Sequence, residues 1–321
     1  MLSTIRKVFL SILFLAVCVE LILRFGYGFC SAPLYVKDAD YEYIYAPNQT
    51  VKRFGNTIKT NSLSMRSLEV SDKDSVVVLL IGDSVVNGGS LTDNDDLAST
   101  LLEARLSDAL GKSVRVLNIS AGSWGPDNSA AYLRKHGFFN ASIMCLVASS
   151  HDAFDLMTHA DQVGIDPNLP DKQFKIALVE LWSRYLYPIY FKDIKFNHVY
   201  YAPKIDSVGT AEDQRGIWKG GDHFNPGFGE LADMARNNEI PFFIYLHPEK
   251  SEIEAGQYNE QGLDIIEFAR QDSIRLIREL DQPPPLSYYR EKDVIHYNRD
   301  GQKFLADRLF PIFEAYLKER N

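Results

Sequence analysis

From residue 75 onward, apolar runs alternate with segments of helical periodicity, and this alternation constrains the fold more than any other feature of the sequence. Residues 75–81 form a valine-rich apolar run, whereas residues 97–110 carry leucines at helical spacing. Further strands are predicted at 113–118, 142–149 and 240–246, with helices between them and at the C-terminal end. Strands that alternate with helices predict an α/β fold with a central parallel sheet.

Composition excludes several classes of function. The 321 residues carry a formal net charge of −9, and because phosphate binding needs concentrated Lys and Arg, no nucleic-acid partner is expected. The cysteines, Cys18, Cys30 and Cys145, lack metal-like spacing and predict neither a zinc site nor a disulfide framework. His223 beside Asp222 is interpreted as a loop histidine, because two adjacent residues do not readily close a metal site. No metal and no cofactor are expected.

Residues 1–30 predict a signal anchor that spans a membrane through residues 8–24. This stretch is almost entirely apolar, and its sixteen residues up to Leu23 rise about 24 Å as a helix, close to the ~30 Å hydrocarbon core. Glu20 lies one turn before Arg24, so the two side chains can pair near the far end. Basic residues before the stretch place the rest of the chain outside the cytoplasm. A cleaved signal peptide, which would give a secreted protein, stays open as the alternative.

The remainder divides into a lead-in segment, residues 31–74, and a main domain, residues 75–321. The lead-in is polar and rich in Tyr and Asn, which predicts short strands and turns packed on the main domain. An insertion at about 155–221 is dense in aromatic residues: Trp182, Tyr185, Tyr187, Tyr190, Tyr200 and Tyr201. Flat aromatic faces suit sugar rings, but core packing and contact with a membrane surface stay open.

A small polar cluster follows the first predicted strand. Gly82-Asp83-Ser84 stands where the carboxyl end of a parallel strand is expected, which is where such sheets bind their ligands. A serine nucleophile needs a general base oriented by a carboxylate. His296 has the best context, because Asp293 precedes it by three residues in a loop that leads into the last helix. A solvent-exposed turn at Ser84 is the alternative interpretation.

Four sequence blocks, each at a predicted strand end or in the last loop, resemble those of the SGNH/GDSL hydrolase family across residues 75–318: Gly82-Asp83-Ser84, Gly122 in "NISAGSWGPDN", "ASSHDAF", and Asp293-x-x-His296. The resemblance implies a three-layer flavodoxin-like fold. It also implies that Ser84 is the nucleophile, His296 the base and Asp293 its orienting carboxylate. In this family the oxyanion hole would use the backbone N–H groups of Ser84 and Gly122 and a side-chain donor from the third block.

The third block departs from the family pattern, which is usually Gly-x-Asn-Asp. Here His151 stands in place of the asparagine. An imidazole can donate a hydrogen bond to an oxyanion, so His151 is the predicted third donor. Alternatively His151 is structural, with Asn87 as a possible substitute donor. Trp124, Trp182 and His247 are further candidates for substrate contact, although packing or capping is the favoured interpretation for His247.

The anchor, the lead-in and the variant third block together are similar to membrane-attached family members linked to bacterial surface-polysaccharide synthesis. The resemblance therefore suggests a serine esterase that hydrolyses an acyl ester, with O-acetyl favoured, on an exported or cell-envelope carbohydrate. A polysaccharide O-acetyltransferase and a catalytically silent carbohydrate-binding or scaffold protein are the alternatives. Hydrolysis is favoured because a cytosolic acyl donor would not reach an exported domain unaided.

Overall fold

The computed structural model describes residues 2–71, 73–191 and 217–319, and it confirms the predicted α/β fold. Five strands form one parallel sheet in the order β6-β5-β7-β8-β9. The strands are β5 (Val76–Gly82), β6 (Val114–Ser120), β7 (Ile143–Ser149), β8 (Phe242–His247) and β9 (Arg275–Arg278). Part of the predicted insertion, including Tyr200 and Tyr201, lies outside the described residues.

Helices cover both faces of the sheet and make the three predicted layers. On one face α3 and α9 pack together, and on the other α4 packs with α6 while α8 lies alongside. The helices are α1 (Leu2–Leu21), α2 (Ser84–Asn87), α3 (Ala98–Leu110), α4 (Pro126–His136), α5 (Ala177–Leu181), α6 (Gly227–Asn237), α7 (Lys250–Ala255), α8 (Glu260–Gln271) and α9 (Arg299–Glu319).

The interior strand β5 shows why the sheet needs cover on both faces. All seven of its residues are buried. Val77, Leu79 and Ile81 belong to one hydrophobic cluster, whereas Val76, Val78 and Leu80 belong to the other. Since successive side chains of a strand point to opposite faces, an unbroken apolar run can be satisfied only between two helical layers.

The strand order places a topological switch point beside β5. The connection from β5 leads to β6 on one side, and β7 lies on the other, which is the arrangement that opens a crevice at the carboxyl ends of the strands. Gly82 ends β5 there, and a Cβ at this position would lie 2.7 Å from the carbonyl oxygen of Val147. Glycine therefore lets β5 and β7 approach each other closely, two residues before Ser84.

The lead-in segment forms two hairpins, β1 (Tyr35–Asp38) with β2 (Glu42–Tyr45) and β3 (Thr50–Arg53) with β4 (Asn56–Lys59). Tyr43, Ile44 and Met65 are buried in the same cluster as the sheet. The lead-in therefore completes the core of the main domain.

The N-terminal helix α1 continues into a π-helical turn, Ile22–Gly26. Residues Ser3–Gly26 are long and apolar enough to cross a membrane, with a mean hydropathy of 2.5, and a signal sequence meets the same test.

Candidate active site

The structure brings Ser84, His296 and Asp293 together although more than 200 residues separate the serine from the other two. The Ser84 Oγ lies 2.8 Å from His296 Nε2, and His296 Nδ1 lies 2.7 Å from Asp293 Oδ2. Ser84 opens the short helix α2 directly after β5, whereas His296 and Asp293 lie in the loop before α9. A hydroxyl, an imidazole and a carboxylate linked in this order can move a proton off the hydroxyl.

Asp293 is held as a carboxylate. Burial alone raises its pKa, but the His296 side chain and the backbone N–H groups of His296 and Ile295 outweigh burial and leave the pKa well below its ordinary value. Those N–H groups lie 2.9 and 3.0 Å from Asp293 Oδ1. Since Oδ1 is occupied by the backbone, Oδ2 is left to receive the His296 Nδ1 proton. This arrangement presents the unprotonated Nε2 to Ser84.

The position of the Ser84 N–H suits an oxyanion donor. Ser84 is the first residue of α2, where a helix provides no internal acceptor for the amide hydrogen. The preceding Asp83 caps the same helix by accepting the N–H of Val85 at 2.7 Å. Gly122 lies two residues past β6, and its carbonyl accepts the Tyr43 hydroxyl at 2.9 Å, which restrains that turn. Ser84 and Gly122 therefore lie at the ends of two neighbouring strands.

His151 is buried in a 3₁₀ turn after β7 and faces carboxylates on several sides. Its Nδ1 lies 3.5 Å from Glu249 Oε1, and its Nε2 lies 3.8 Å from Asp152 Oδ1. One carboxylate oxygen each of Asp83 and Asp152 and one ring nitrogen of His151 all lie within 4.8 Å of one another. The other oxygens of these acids are occupied by backbone N–H groups: Asp83 Oδ1 by Val85, Asp152 Oδ2 by Ser149 and Glu249 Oε2 by Ile217.

This surrounding charge sets the protonation of His151. Burial alone lowers its pKa, but the negative charges of Asp152, Glu249 and Asp83 outweigh burial and raise the pKa to about 9. The facing atoms, His151 Nδ1, Glu249 Oε1 and Asp152 Oδ1, are buried and make no hydrogen bond within the described chain. Burial also raises the pKa of Asp152 to about 8, against the opposing charge of His151. We therefore interpret His151 and the acids around it as a group whose shared proton explains how these atoms tolerate burial, and we assign no metal to it.

Asn87 and Trp124 do not fit the roles considered for them. Asn87 is buried, and its side chain donates to the Ser120 carbonyl at 3.1 Å and accepts the Gly89 N–H at 3.2 Å. Its amide is therefore committed to holding the Ser84 loop. Trp124 is only 1% exposed, and its Nε1 donates to the Tyr43 carbonyl at 2.8 Å. It is a core residue that a substrate cannot reach.

His247 is fully buried, which contradicts substrate contact and agrees with the packing interpretation. Its Nδ1 lies 3.1 Å from Glu279 Oε2, and its Nε2 lies 2.9 Å from the Ile295 carbonyl. Burial alone lowers the pKa of His247, but the Glu279 carboxylate and the Ile295 carbonyl outweigh burial and raise it. Ile295 is adjacent to His296, so this buried pair supports the loop that carries the base.

Trp182 belongs to a different part of the molecule. It begins the π-helical segment Trp182–Phe191, whose Tyr185 ring packs against Phe29 and Phe54 beside the N-terminal helix. The Trp182 ring lies 6.4 Å from the ring of Tyr187 in the same segment. His223 and Asp222 form an exposed surface pair, with Nδ1 2.6 Å from Oδ1.

Two arginines hold the site, and the sequence interpretation missed both. Arg66 of the lead-in is buried and donates to the carbonyls of Asn87, Gly89 and Thr92 at 2.6, 2.8 and 2.9 Å. Arg290 donates to the Gly88 carbonyl at 2.8 Å. Together they tie the loop after Ser84 to the lead-in and to the loop that carries the base. A buried arginine with carbonyl partners has no sequence signature, since any loop offers carbonyls.

Comparisons with known proteins find matches among solved structures. A scan against family models finds no match, and a search of curated proteins finds none. The similar solved structures include TesA, 15% identical over 75% of this chain and 99% of that chain, with a TM-score of 0.45. A two-domain esterase (CEX) active on acetylated mannans is 7% identical over 76% of this chain and 50% of that chain, with a TM-score of 0.44.

A third similar structure is a mutant of Axe2, an acetyl-xylooligosaccharide esterase from Geobacillus Stearmophilus, which is 12% identical over 75% of this chain and 95% of that chain, with a TM-score of 0.39. At such low identities and TM-scores these matches say nothing of the reaction, which depends on the side chains of the site itself.

Proposed function

We propose that this protein is a serine esterase of the SGNH type, which cleaves an acyl ester through an acyl-enzyme on Ser84. The observation that carries the proposal is the continuous Ser84–His296–Asp293 contact at the carboxyl edge of a parallel sheet. A hydroxyl alone is a weak nucleophile at neutral pH, and a neutral imidazole within hydrogen-bond distance is the group that activates it.

The first half-reaction forms the acyl-enzyme. Ser84 Oγ bonds to the ester carbonyl carbon while its proton passes to His296 Nε2, and Asp293 stabilises the imidazolium that results. The carbonyl oxygen becomes an oxyanion, which the N–H groups of Ser84 and Gly122 and the His151 side chain would receive. The C–O bond to the leaving alcohol then breaks, and His296 returns the proton to that oxygen.

The second half-reaction releases the acid. Water gives a proton to His296 Nε2 and attacks the acyl carbon, the bond to Ser84 Oγ breaks, and the serine recovers the proton. A sugar hydroxyl in place of this water would make the protein an acyltransferase, because both reactions share the acyl-enzyme.

The proposed substrate is an O-acetyl ester on an exported or cell-envelope carbohydrate. The N-terminal apolar helix with basic residues before it supports a catalytic domain outside the cytoplasm, attached to the membrane. Acetylated mannan and xylan oligosaccharides, named for CEX and Axe2, are the first carbohydrates to test on this chain.

The test uses the full chain in detergent with a fluorophosphonate probe and a chromogenic acetyl ester. We expect the probe to label the wild-type protein and to leave Ser84→Ala unlabelled, with both proteins equally folded by circular dichroism. Asp300 is exposed at the start of α9, so Asp300→Ala serves as the matched control, and the probe should label this variant at the wild-type level. Labelling of Ser84→Ala at the wild-type level would refute the assignment.

Mass spectrometry then separates hydrolysis from transfer. With an acetyl donor and an oligosaccharide present, a hydrolase releases acetate at a rate that added sugar does not change. Acetylated sugar in excess of free acetate would replace the esterase proposal with the transferase.

A further inference from the structure

The end of the N-terminal helix is bonded into the folded domain. Glu20 accepts the N–H groups of Ala177 and Leu178, the first two residues of α5, at 2.8 and 2.9 Å. Arg24 lies 3.0 Å from Glu20 and also donates to the Lys175 carbonyl at 2.6 Å. A carboxylate at a helix N-terminus satisfies free N–H groups and opposes the positive end of the helix dipole. The apolar helix therefore caps a helix of the catalytic domain.

The residues after this helix also contact the folded domain. Phe29 is buried, with its ring 5.5 Å from the ring of Tyr185, and the N–H of Cys30 lies 2.5 Å from Glu180 Oε2. Glu180 is itself buried and paired with Arg53 at 2.6 Å. Cleavage after residue 30 would remove the cap of α5, the Phe29 ring and one partner of a buried carboxylate. These losses favour a helix that stays attached over one that is removed.

The segment that begins with α5 has its charged side chains directed inward and its apolar side chains directed outward. Its charged residues Glu180 and Arg184 are directed inward, where they pair with each other at 3.2 Å. Its exposed side chains are apolar or aromatic: Ile176 at 51%, Val179 at 47%, Trp182 at 45% and Tyr190 at 70%. A helix facing water shows the opposite arrangement, so this outer face calls for an apolar neighbour.

The end of the N-terminal helix, which is bonded to this segment, also exposes aromatic rings. Phe25 and Tyr27 at its end are exposed, and the exposed lysines Lys172 and Lys175 flank the start of the segment. Aromatic rings gather where hydrocarbon meets headgroups, and lysines there reach lipid phosphates. The composition of the combined face matches that level of a bilayer.

We propose that the exposed side chains of Ile176, Val179, Trp182 and Tyr190 and the end of the retained N-terminal helix form one lipid-binding surface, which holds the domain directly against the bilayer. The occupant is the headgroup region beside the membrane-spanning helix. Continuity with that helix carries the argument, because the segment is bonded to the residues that leave the membrane. This inference is independent of the ester chemistry.

Tryptophan fluorescence tests the surface directly. The chain has three tryptophans: Trp124 is buried, whereas Trp182 and Trp218 are 45% and 55% exposed. The full chain is reconstituted into phosphatidylcholine–phosphatidylglycerol vesicles whose acyl chains are brominated close to the headgroups, so that only tryptophans in contact with lipid are quenched. We expect quenching in the wild-type protein, loss of most of it in Trp182→Phe, and retention of it in Trp218→Phe.

Equal quenching of wild type and Trp182→Phe, with both folded by circular dichroism, would overturn the proposal. Cross-linked dimers that Trp182→Phe abolishes, without quenching in the wild type, would assign the face to a second copy and also overturn it. Intact mass spectrometry of the membrane-extracted protein should give the full 36.4 kDa chain. A mature species beginning near residue 30 would refute the retained helix.

Discussion

Two histidines at the carboxyl edge of the sheet, His296 and His151, have different surroundings, and we propose different roles for them. His296 is partly exposed and has one carboxylate, Asp293, at 2.7 Å. His151 is buried and faces Glu249, Asp152 and Asp83. A base must be neutral to take a proton, whereas a donor to an oxyanion works best when charged. The several carboxylates around the buried His151 suit it to the charged, donating role that we propose for it.

The largest loss of activity is expected from removal of the proposed base. We expect His296→Ala to lower kcat on an acetyl ester by about 10⁴-fold or more, because Ser84 then has no proton acceptor. Asp293→Ala should cost somewhat less, since the imidazole remains. Steady-state kinetics on the full chain in detergent provide the measurement.

The double variant His296→Ala/Asp293→Ala serves as the control for a shared role. Groups that act as a unit are non-additive, so the double variant should resemble His296→Ala. Losses that multiply would show that the two residues act independently and would contradict a triad.

Removal of the proposed donor tests the second histidine with a smaller expected effect. His151→Ala should lower kcat by about 10²- to 10³-fold, the usual cost of one oxyanion donor, with KM little changed. His151→Asn supplies an amide donor at the same position and should recover part of the loss. A kcat for a folded His151→Ala protein within twofold of wild type would make His151 structural.

The smallest expected effect is a change of kcat/KM with pH, which tests the protonation state of His151. The pKa of His151 is raised to about 9, so its charged form is present at neutral pH and is lost as pH rises through about 9. We therefore expect kcat/KM to fall above that pH. Burial raises the pKa of the neighbouring Asp152 to about 8, so the deprotonation of this acid falls in the same pH range. The titratable groups that face His151 are Asp83, Asp152, Asp155 and Glu249.

Glu249→Gln isolates one of these charges while an oxygen remains for the Ile217 N–H. Without the Glu249 charge the alkaline fall should move to lower pH, and in His151→Asn it should disappear. An alkaline fall that is unchanged in His151→Asn would belong to another group.

Local pattern was enough to predict the centre of the fold and the identity of the triad candidates. An apolar run such as β5 has few alternatives to a buried strand, and Gly82-Asp83-Ser84 and Asp293-x-x-His296 are short motifs within single loops. Strand β9 escaped prediction because it has four residues and arginine at both ends. Its pairing with β8 stabilises the strand, although its composition does not predict one.

Side-chain direction and long-range partners were beyond reach from sequence. Trp124 and His247 occur close to strand ends, where a substrate contact was reasonable, yet both point into the core. Glu249 lies 98 positions from His151, and no local pattern links them. A pairing of this kind follows from the sheet order, which places the ends of β7 and β8 side by side.

The position of Arg66 has a consequence for how this protein can change over evolutionary time. Its guanidinium connects residue 66 to three carbonyls of the loop that follows the proposed nucleophile. Recombination at the border near residue 74 would therefore separate the loop from the arginine that shapes it. The lead-in and the hydrolase-like fold are thus expected to be inherited as one unit, because a foreign lead-in without an arginine at this place would leave the loop carbonyls unsatisfied.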